Sequence, residues 1–366
     1  MFSDVYVLGA AVHPARAQIR EYRLEELVYR TTRAALDDAR VTRRQLDNVT
    51  LGGSDELDGR PISSMLLATP AGAYRVDEMK VADSGATAFC LAVARMASGD
   101  FHLGLVASWC KPSKTDPEFV TNVQAEPFFT RPLGMNGRVA DGLFAQAVAQ
   151  AHGVSEEEAA ARAAGAYERA ALNSRGAGHG VPSQHEVACS PFEATPLRAG
   201  HRAPLTDGAA CLVLASERWT RRHPRHRPLA RVAGVGWATD SYRLGAERLR
   251  SMTSARVAWS RALARAGIPA GSLDVVEVES PTSYHEAAYA RVFQADGDRL
   301  SPSGGTFAQH PLVCTGLVNA VEAVLQVAGR AGAVQRPAVH RAAAHSCHGF
   351  AQQGNVVMVF EGDGRA

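Results

Sequence analysis

The chain has no excess of charge: 39 Lys and Arg face 37 Asp and Glu over 366 residues, a net of +2. Without a basic surplus it offers no electrostatic footprint for nucleic acid or for a membrane surface. It also lacks paired cysteine motifs. Six cysteines are scattered at 90, 110, 189, 211, 314 and 347, with no Cys-x-x-Cys and no zinc-finger spacing. Reduced thiols in a cytoplasm are therefore expected, not a disulfide framework or a structural metal. No apolar run reaches the roughly 18 residues a bilayer span requires. The start, Met1-Phe2-Ser3-Asp4-Val5-Tyr6-Val7-Leu8, carries an early acid and no basic stretch, so it reads as a first strand and not as a secretion signal. A phosphate-binding loop is missing too. Gly52-Gly53 and Gly304-Gly305 read as tight turns without a dinucleotide fingerprint around them.

What is present is enough apolar material for a large core, 46% hydrophobic residues against 21% charged. The length fits two domains or one large α/β unit. Residues 5–10 alternate as a strand, and Leu24, Leu27, Val28, Thr31, Ala35 and Leu36 have the spacing of a one-faced helix. Leu46 to Gly53 reads as a strand ending in a glycine turn. Lys80-Val81-Ala82-Asp83-Ser84-Gly85 opens a stretch to Ser98 that is small and apolar, a helix buried on all sides. Phe101 to Ser108 and Leu205 to Ser216 read as buried strands. Between them, residues 111–203 mix Pro, Gly and polar residues around helices at 139–152 and 155–173, an insertion of the kind that builds a lid or binding wall. The basic run Arg221 to Arg227 reads as a linker.

Internal repetition organises the whole. Ala35-Leu36, Ala39, Val41, Leu46-Asp47, Val49 and Leu51 return 227 positions later as Ala262-Leu263, Ala266, Ile268, Leu273-Asp274, Val276 and Val278. Ser84-Gly85 has its counterpart in Thr315-Gly316, and Asp207-Gly208 to Leu214 in Gln353-Gly354 to Phe360. The matches keep their order. Two copies of one strand-helix unit are expected, an N-terminal domain over 1–220 carrying the insertion at about 111–203 and a C-terminal domain over 221–366.

A doubled α/β unit with such an insertion resembles the thiolase superfamily, and particular motifs agree. His152-Gly153-Val154-Ser155 through Arg169-Ala170-Ala171 is similar to the thiolase segment after the insertion loop. Pro204-Leu205-Thr206-Asp207-Gly208-Ala209-Ala210 resembles the family's strand motif. Ser301-Pro302-Ser303-Gly304-Gly305 followed by His310-Pro311 resembles its Asn-Pro-Ser-Gly-Gly…Gly-His-Pro run, and Cys347-His348-Gly349 followed by Gly354 its terminal Cys-x-Gly motif. The resemblance implies a five-layered αβαβα fold built from two repeated halves, a homodimer, and CoA or an acyl-carrier thioester as substrate with no covalently bound cofactor. For divergent relatives it also implies a small zinc-ribbon/OB-fold partner protein.

Thiolases make or break a carbon–carbon bond beside a thioester carbonyl. The resemblance assigns them a nucleophilic cysteine at a helix N-terminus, where the dipole lowers its pKa. It adds a histidine that stabilises the enolate oxygen, a second cysteine that moves the α-proton, and an oxyanion hole of backbone N–H groups. Here His310 and Cys347 stand at the second and third places, with Ala82 and Gly349 as backbone donors. A loop-packing histidine and an inert buried cysteine are the plainer alternatives. The nucleophile's place is Ala82, which no acyl group can load, so ping-pong transfer through it is excluded. Asp83 and Ser84 beside it read as helix caps. Glu279 replaces the family's asparagine and can orient water, act as a base or hold His310 protonated; otherwise it is an ordinary strand exit. Tyr284 allows an analogy with the steroid side-chain aldolases, thiolase-like proteins that work without the acylated cysteine. Trp109, Phe129 and Met135, with Phe128 and Phe144, can line an acyl pocket or simply belong to the core.

The expected function is thus aldol- or Claisen-type chemistry on an acyl thioester or ketone without an acyl-enzyme at position 82. Two rivals remain: a non-catalytic subunit that pairs with an active thiolase or ketosynthase, and an acyltransferase acylated at Cys347.

Overall fold

The computed structural model describes residues 4–362. Of the segment read as a first strand, residues 1–3 lie outside it, as do the last four of the C-terminal domain.

Both halves build the same unit. The first runs β1 (Val5–Val12), α1 (Leu24–Ala39), β2 (Asn48–Gly52), β3 (Asp77–Val81), α2 (Gly85–Ala97) and β4 (Leu103–Cys110). The insertion follows, with α3 (Pro117–Gln124), α4 (Gly137–His152) and α5 (Glu156–Leu172), before β5 (Gly208–Ser216) closes the half. The second runs β6 (Ala230–Thr239), α6 (Thr253–Ala266), β7 (Val275–Glu277), α7 (Ser283–Phe293), α8 (Thr315–Val327), β8 (Arg341–His348) and β9 (Gly354–Glu361).

Strand pairing repeats with the sequence. β5 lies antiparallel between β1 and β4, as β9 lies antiparallel between β6 and β8. β2 is parallel to β4, as β7 is to β8. β3 extends the first half as an edge strand, and a single parallel bridge from Val276 to Leu300 stands in the corresponding place of the second. The halves join where β1 meets β6, giving a nine-stranded order β3-β2-β4-β5-β1-β6-β9-β8-β7.

Three cores separate the layers. α1 covers one outer face, with Leu27, Val28 and Ala35 against Leu51, Leu105 and Val213. α6 and α7 cover the other, with Ala258, Ala262 and Phe293 against Val276, Val357 and Val359. Between the halves, α2 and α8 touch each other and strands of both sides, so their packing is apolar nearly all round: Phe89, Ala92, Leu317 and Val321 meet Val106, Leu212, Met358 and Phe360. That is the αβαβα layering the resemblance implied. The helix expected from Val81 begins later, because Val81 closes β3 and Ser84 is the N-cap, its Oγ accepting from the Thr87 N–H at 3.2 Å.

The repeated Ser-Gly and Thr-Gly helix starts have a steric cause. A Cβ on Gly85 would stand 2.7 Å from Ser108 on β4 and 2.8 Å from Leu317; one on Gly316 would stand 2.3 Å from Ser346 Oγ on β8 and 2.8 Å from Ala86. The two central helices cross at these glycines. Gly316→Ala is expected to destabilise the fold by about 2–3 kcal/mol, read as a lowered urea midpoint at unchanged slope.

The basic run expected to be a solvated linker is packed in part: the Trp219 ring stacks on His223 with centroids 4.2 Å apart, and His226 Nδ1 meets the Ala39 carbonyl at 3.1 Å. No helix among the described residues is long and apolar enough to cross a membrane.

Candidate active site

Both halves end their parallel strands on the same side, and there a cavity of about 470 Å³ opens under the insertion. Ala82 and Asp83 reach it from the turn between β3 and α2, Glu279 from the exit of β7, His310 from the loop before α8, and Cys347 to Gly349 from the end of β8. The insertion supplies the facing wall, with Glu118, Thr121 and Gln124 of α3 and Asp141 of α4.

Glu279 is buried. Its Oε2 accepts the Ser346 hydroxyl at 2.7 Å and the Cys347 N–H at 3.3 Å. Burial, with the Asp83 charge adding to it, pushes its carboxyl up to about 8, so it keeps its proton at neutral pH. Cys347 donates its thiol proton to the Glu279 carbonyl at 3.6 Å. Burial, and then Glu279, push that thiol well above its ordinary value, which makes it a protonated donor and a poor nucleophile.

His310 takes the opposite sense. Burial lowers its pKa to about 4 and leaves the ring neutral. Its backbone N–H donates to Thr206 Oγ1 at 2.9 Å, and the ring Nδ1 meets the Ala203 carbonyl at 3.4 Å. A carbonyl only accepts, so this contact assigns the proton to Nδ1 and leaves the Nε2 lone pair for the cavity. A buried network fixes the loop behind it. Gln309 Nε2 donates to Glu322 Oε1 at 3.2 Å, Arg175 forks onto both Glu322 oxygens at 2.8 and 2.6 Å, and Asn173 Nδ2 ties the Ser303 carbonyl at 3.0 Å.

Position 82 carries only a methyl group, exposed at the N-terminal end of α2. Asp83, expected to be a cap, instead accepts from the Thr87 hydroxyl at 3.0 Å and faces His348 Nε2 at 3.4 Å, linking the two halves across the mouth. The His348 ring fits only because residue 354 is glycine, where a Cβ would lie 1.9 Å from Nε2.

Ala82, Glu279, His310, Cys347 and Gly349 are therefore gathered in one cavity wall, while the other expected residues stand elsewhere. Tyr284, in the first turn of α7, is buried in the outer core with its ring edge-on to His201 at 5.5 Å and does not line the cavity. Trp109 is buried beneath Gly53, with Nε1–H donating to Asp58 at 3.0 Å. Phe129 is 76% exposed on a turn whose backbone N–H groups bind Glu126. Met135 packs on the second outer core, and Phe144 stacks on His285 at 4.2 Å. The residues missed from sequence are Ser346, His348, Arg202, Asp141 and Glu118. Only His348 carried a local signal, by its place between Cys347 and Gly349.

Buried titratable groups set the pH response of the fold. Glu277, whose Oε2 accepts the Ser303 hydroxyl at 2.6 Å, is pushed up to about 8 by burial, as Glu279 is. Both hold protons that the unfolded chain releases above about pH 4.3, so their contribution to stability falls as pH rises towards about 8. His310 and His345, both lowered to about 4, act oppositely but contribute no slope above about pH 6.5. The melting temperature is expected to decline between about pH 6.5 and 8.5, less steeply in Glu277→Gln, as a thermal melt series would read.

No family model matches the chain. Over 356 residues, 90% of this chain and 92% of the relative, it is 25% identical to an acetyl-CoA acetyltransferase of Methanothermobacter thermautotrophicus. A stretch of 121 residues, 33% of this chain, is 31% identical to acetyl-CoA acetyltransferase of Schizosaccharomyces pombe, covering 29% of that protein. The steroid 3-ketoacyl-CoA thiolase of Mycobacterium tuberculosis is 30% identical over 121 residues, 33% of this chain and 28% of that protein. Among solved structures, human mitochondrial 3-ketoacyl-CoA thiolase superposes with a TM-score of 0.80 at 18% identity, covering 98% of this chain and 99% of that one. Its complex with CoA superposes at 0.79 and 18% identity, covering 98% of each chain.

Proposed function

From a chain that belongs to the thiolase superfamily, alike in fold and in sequence along 90% of its length, we propose an enzyme that makes or cleaves a carbon–carbon bond beside an acyl-thioester carbonyl without an acyl-enzyme. The observation that carries this reading is that Ala82, where the resemblance puts the nucleophile, opens on the same cavity as Glu279, His310 and Cys347. CoA or an acyl-carrier thioester enters as substrate.

In the cleaving direction the substrate is a 3-hydroxyacyl thioester. His310 Nε2 takes the proton of the 3-hydroxyl. The Cα–Cβ bond breaks, its electron pair moving into the thioester enolate while the hydroxyl carbon becomes a carbonyl. The protonated Glu279 carboxyl and the Gly349 N–H donate to the enolate oxygen. The Cys347 thiol protonates Cα, and solvent carries the proton from His310 back to sulfur. The products are a shortened acyl thioester and an aldehyde or ketone; condensation is the reverse.

The test is aldehyde release from 3-hydroxyacyl-CoA by the purified chain, with intact-protein mass recorded alongside. The expected result is turnover with no acyl adduct. An adduct on Cys347 would establish the acyltransferase reading instead. Unchanged turnover in both His310→Ala and Cys347→Ala would overturn the assignment. The second reading, a non-catalytic partner of an active thiolase or ketosynthase, is favoured by the same Ala82; it predicts no turnover alone and a stable complex with such an enzyme.

We also propose a cytoplasmic homodimer. Six cysteines in no disulfide suit a reducing compartment. β3 is an edge strand whose outer side pairs with no strand among the described residues, a template for its copy in a second chain. A small zinc-ribbon/OB-fold partner would find an apolar surface at Phe119, Val123, Phe128 and Leu133, all exposed on the insertion. Light scattering of the purified chain tests the dimer.

A further inference from the structure

The wall facing the acid–base set carries Glu118, Thr121, Gln124 and Asp141 among the apolar Pro117, Val120 and Leu205, and one of its carboxylates has only long ion-pair contacts. Asp141 accepts no hydrogen bond among the described residues: Arg202 Nη2 lies 4.0 Å away and His285 Nε2 3.9 Å. Both contacts are longer than a hydrogen bond. Arg202 is drawn to Glu118 at 3.4 Å and Glu193 at 3.2 Å, two carboxylates that Arg138 also approaches, at 3.6 and 3.8 Å. His285 is held neutral, its pKa lowered to about 3 by burial, and its Nδ1 meets the Thr282 hydroxyl at 2.8 Å. Burial pushes Asp141 itself up to about 7, against the Arg202 charge that lowers it and with Glu118 adding to the rise. Thr121 and Gln124 stand on the same wall. Phe128 and Leu133 of the insertion turn the other way, at 81% and 86% exposure.

A hydrocarbon chain laid on this wall would strip water from Asp141 and return no hydrogen bond to it. A hydroxylated chain would fill its empty hydrogen-bonding positions in either protonation state. We propose that the fragment released as the carbonyl product is polyhydroxylated, with Asp141 as the residue that selects it. This rests on the cleavage reading above and names the substrate class for that site.

The experiment compares two N-acetylcysteamine thioesters of equal length, 3,4,5,6-tetrahydroxyhexanoyl and 3-hydroxyhexanoyl. Cleavage gives acetyl thioester with a trihydroxybutanal or with butanal. The hydroxylated substrate is expected to have a kcat/KM higher by about 10²-fold or more, Asp141→Leu to erase that preference, and Asp141→Asn, which keeps size and hydrogen bonding, to retain most of it. Thioether analogues that cannot be cleaved are titrated calorimetrically in parallel, and the hydroxylated one is expected to bind more tightly to wild type but not to Asp141→Leu. Butanal release at an equal or higher rate would overturn the inference while leaving the cleavage reading standing. Absence of turnover with a preserved binding preference would do the reverse. Equal binding of the two analogues would overturn the inference whatever the turnover.

Discussion

His310→Ala is expected to lower kcat for cleavage of a 3-hydroxyacyl thioester by about 10³-fold at pH 7, with KM changed little. In the proposed reaction this ring is the base. The Ala203 carbonyl takes the Nδ1 proton at 3.4 Å, and burial keeps the ring neutral down to about pH 4. A neutral imidazole with a free Nε2 accepts the 3-hydroxyl proton; it does not donate to an oxyanion. The wild-type rate should therefore stay level from about pH 5 to 7, whereas an imidazolium acting as donor would lose activity as pH rises through its pKa. A loss below about tenfold in the alanine variant would remove His310 from the proton path. Its fold control is the melting temperature, since the backbone N–H still reaches Thr206 and the Gln309–Glu322–Arg175 network behind the loop is untouched.

The base role proposed for His310 differs from the enolate-stabilising one the resemblance implied, and the contact it rests on was not legible in the sequence. Which nitrogen carries the proton depends on Ala203, more than 100 positions away and in the insertion. What could be read was whatever the repeat carries in its backbone. Gly85 and Gly316 mark the crossing of the two central helices because no side chain fits there, and that constraint shows directly as a residue type. Ala82, Glu279, His310 and Cys347 come together because each leaves a strand or opens a helix on one side of the duplicated unit. The insertion obeys no such repeat. Glu118, Asp141 and Arg202 meet across it with no periodicity to announce them, and of its aromatics expected to line a pocket, Phe128 and Phe129 are exposed on a turn while Phe144 is buried against His285. Tyr284, only five residues past Glu279, shows the limit of proximity: it lies past the Thr282 N-cap in the first turn of α7, buried with its ring against His201, and does not line the cavity.

His310 held neutral at low pH and Glu279 held protonated at high pH divide the acid and base roles between them. The clearest test of that division is Glu279. Activity should fall as pH rises above about 8, where its carboxyl loses the proton it donates to the enolate oxygen. Glu279→Gln should abolish this alkaline fall and keep the plateau rate within about tenfold. The amide oxygen can still accept from the Ser346 hydroxyl and the Cys347 N–H, and the amide nitrogen donates at every pH. Glu279→Ala loses the donor altogether, with an expected drop of about 10²–10³ in kcat. It also leaves the Ser346 hydroxyl and the Cys347 N–H without their acceptor, at a cost of about 1–3 kcal/mol in stability. A base at Glu279 would give the opposite profile, activity rising through pH 8 and a glutamine variant as inactive as the alanine one. The pH–rate curves of the three proteins, recorded as kcat between pH 5 and 9.5, decide between donor and base without reference to the identity of the substrate's distal chain.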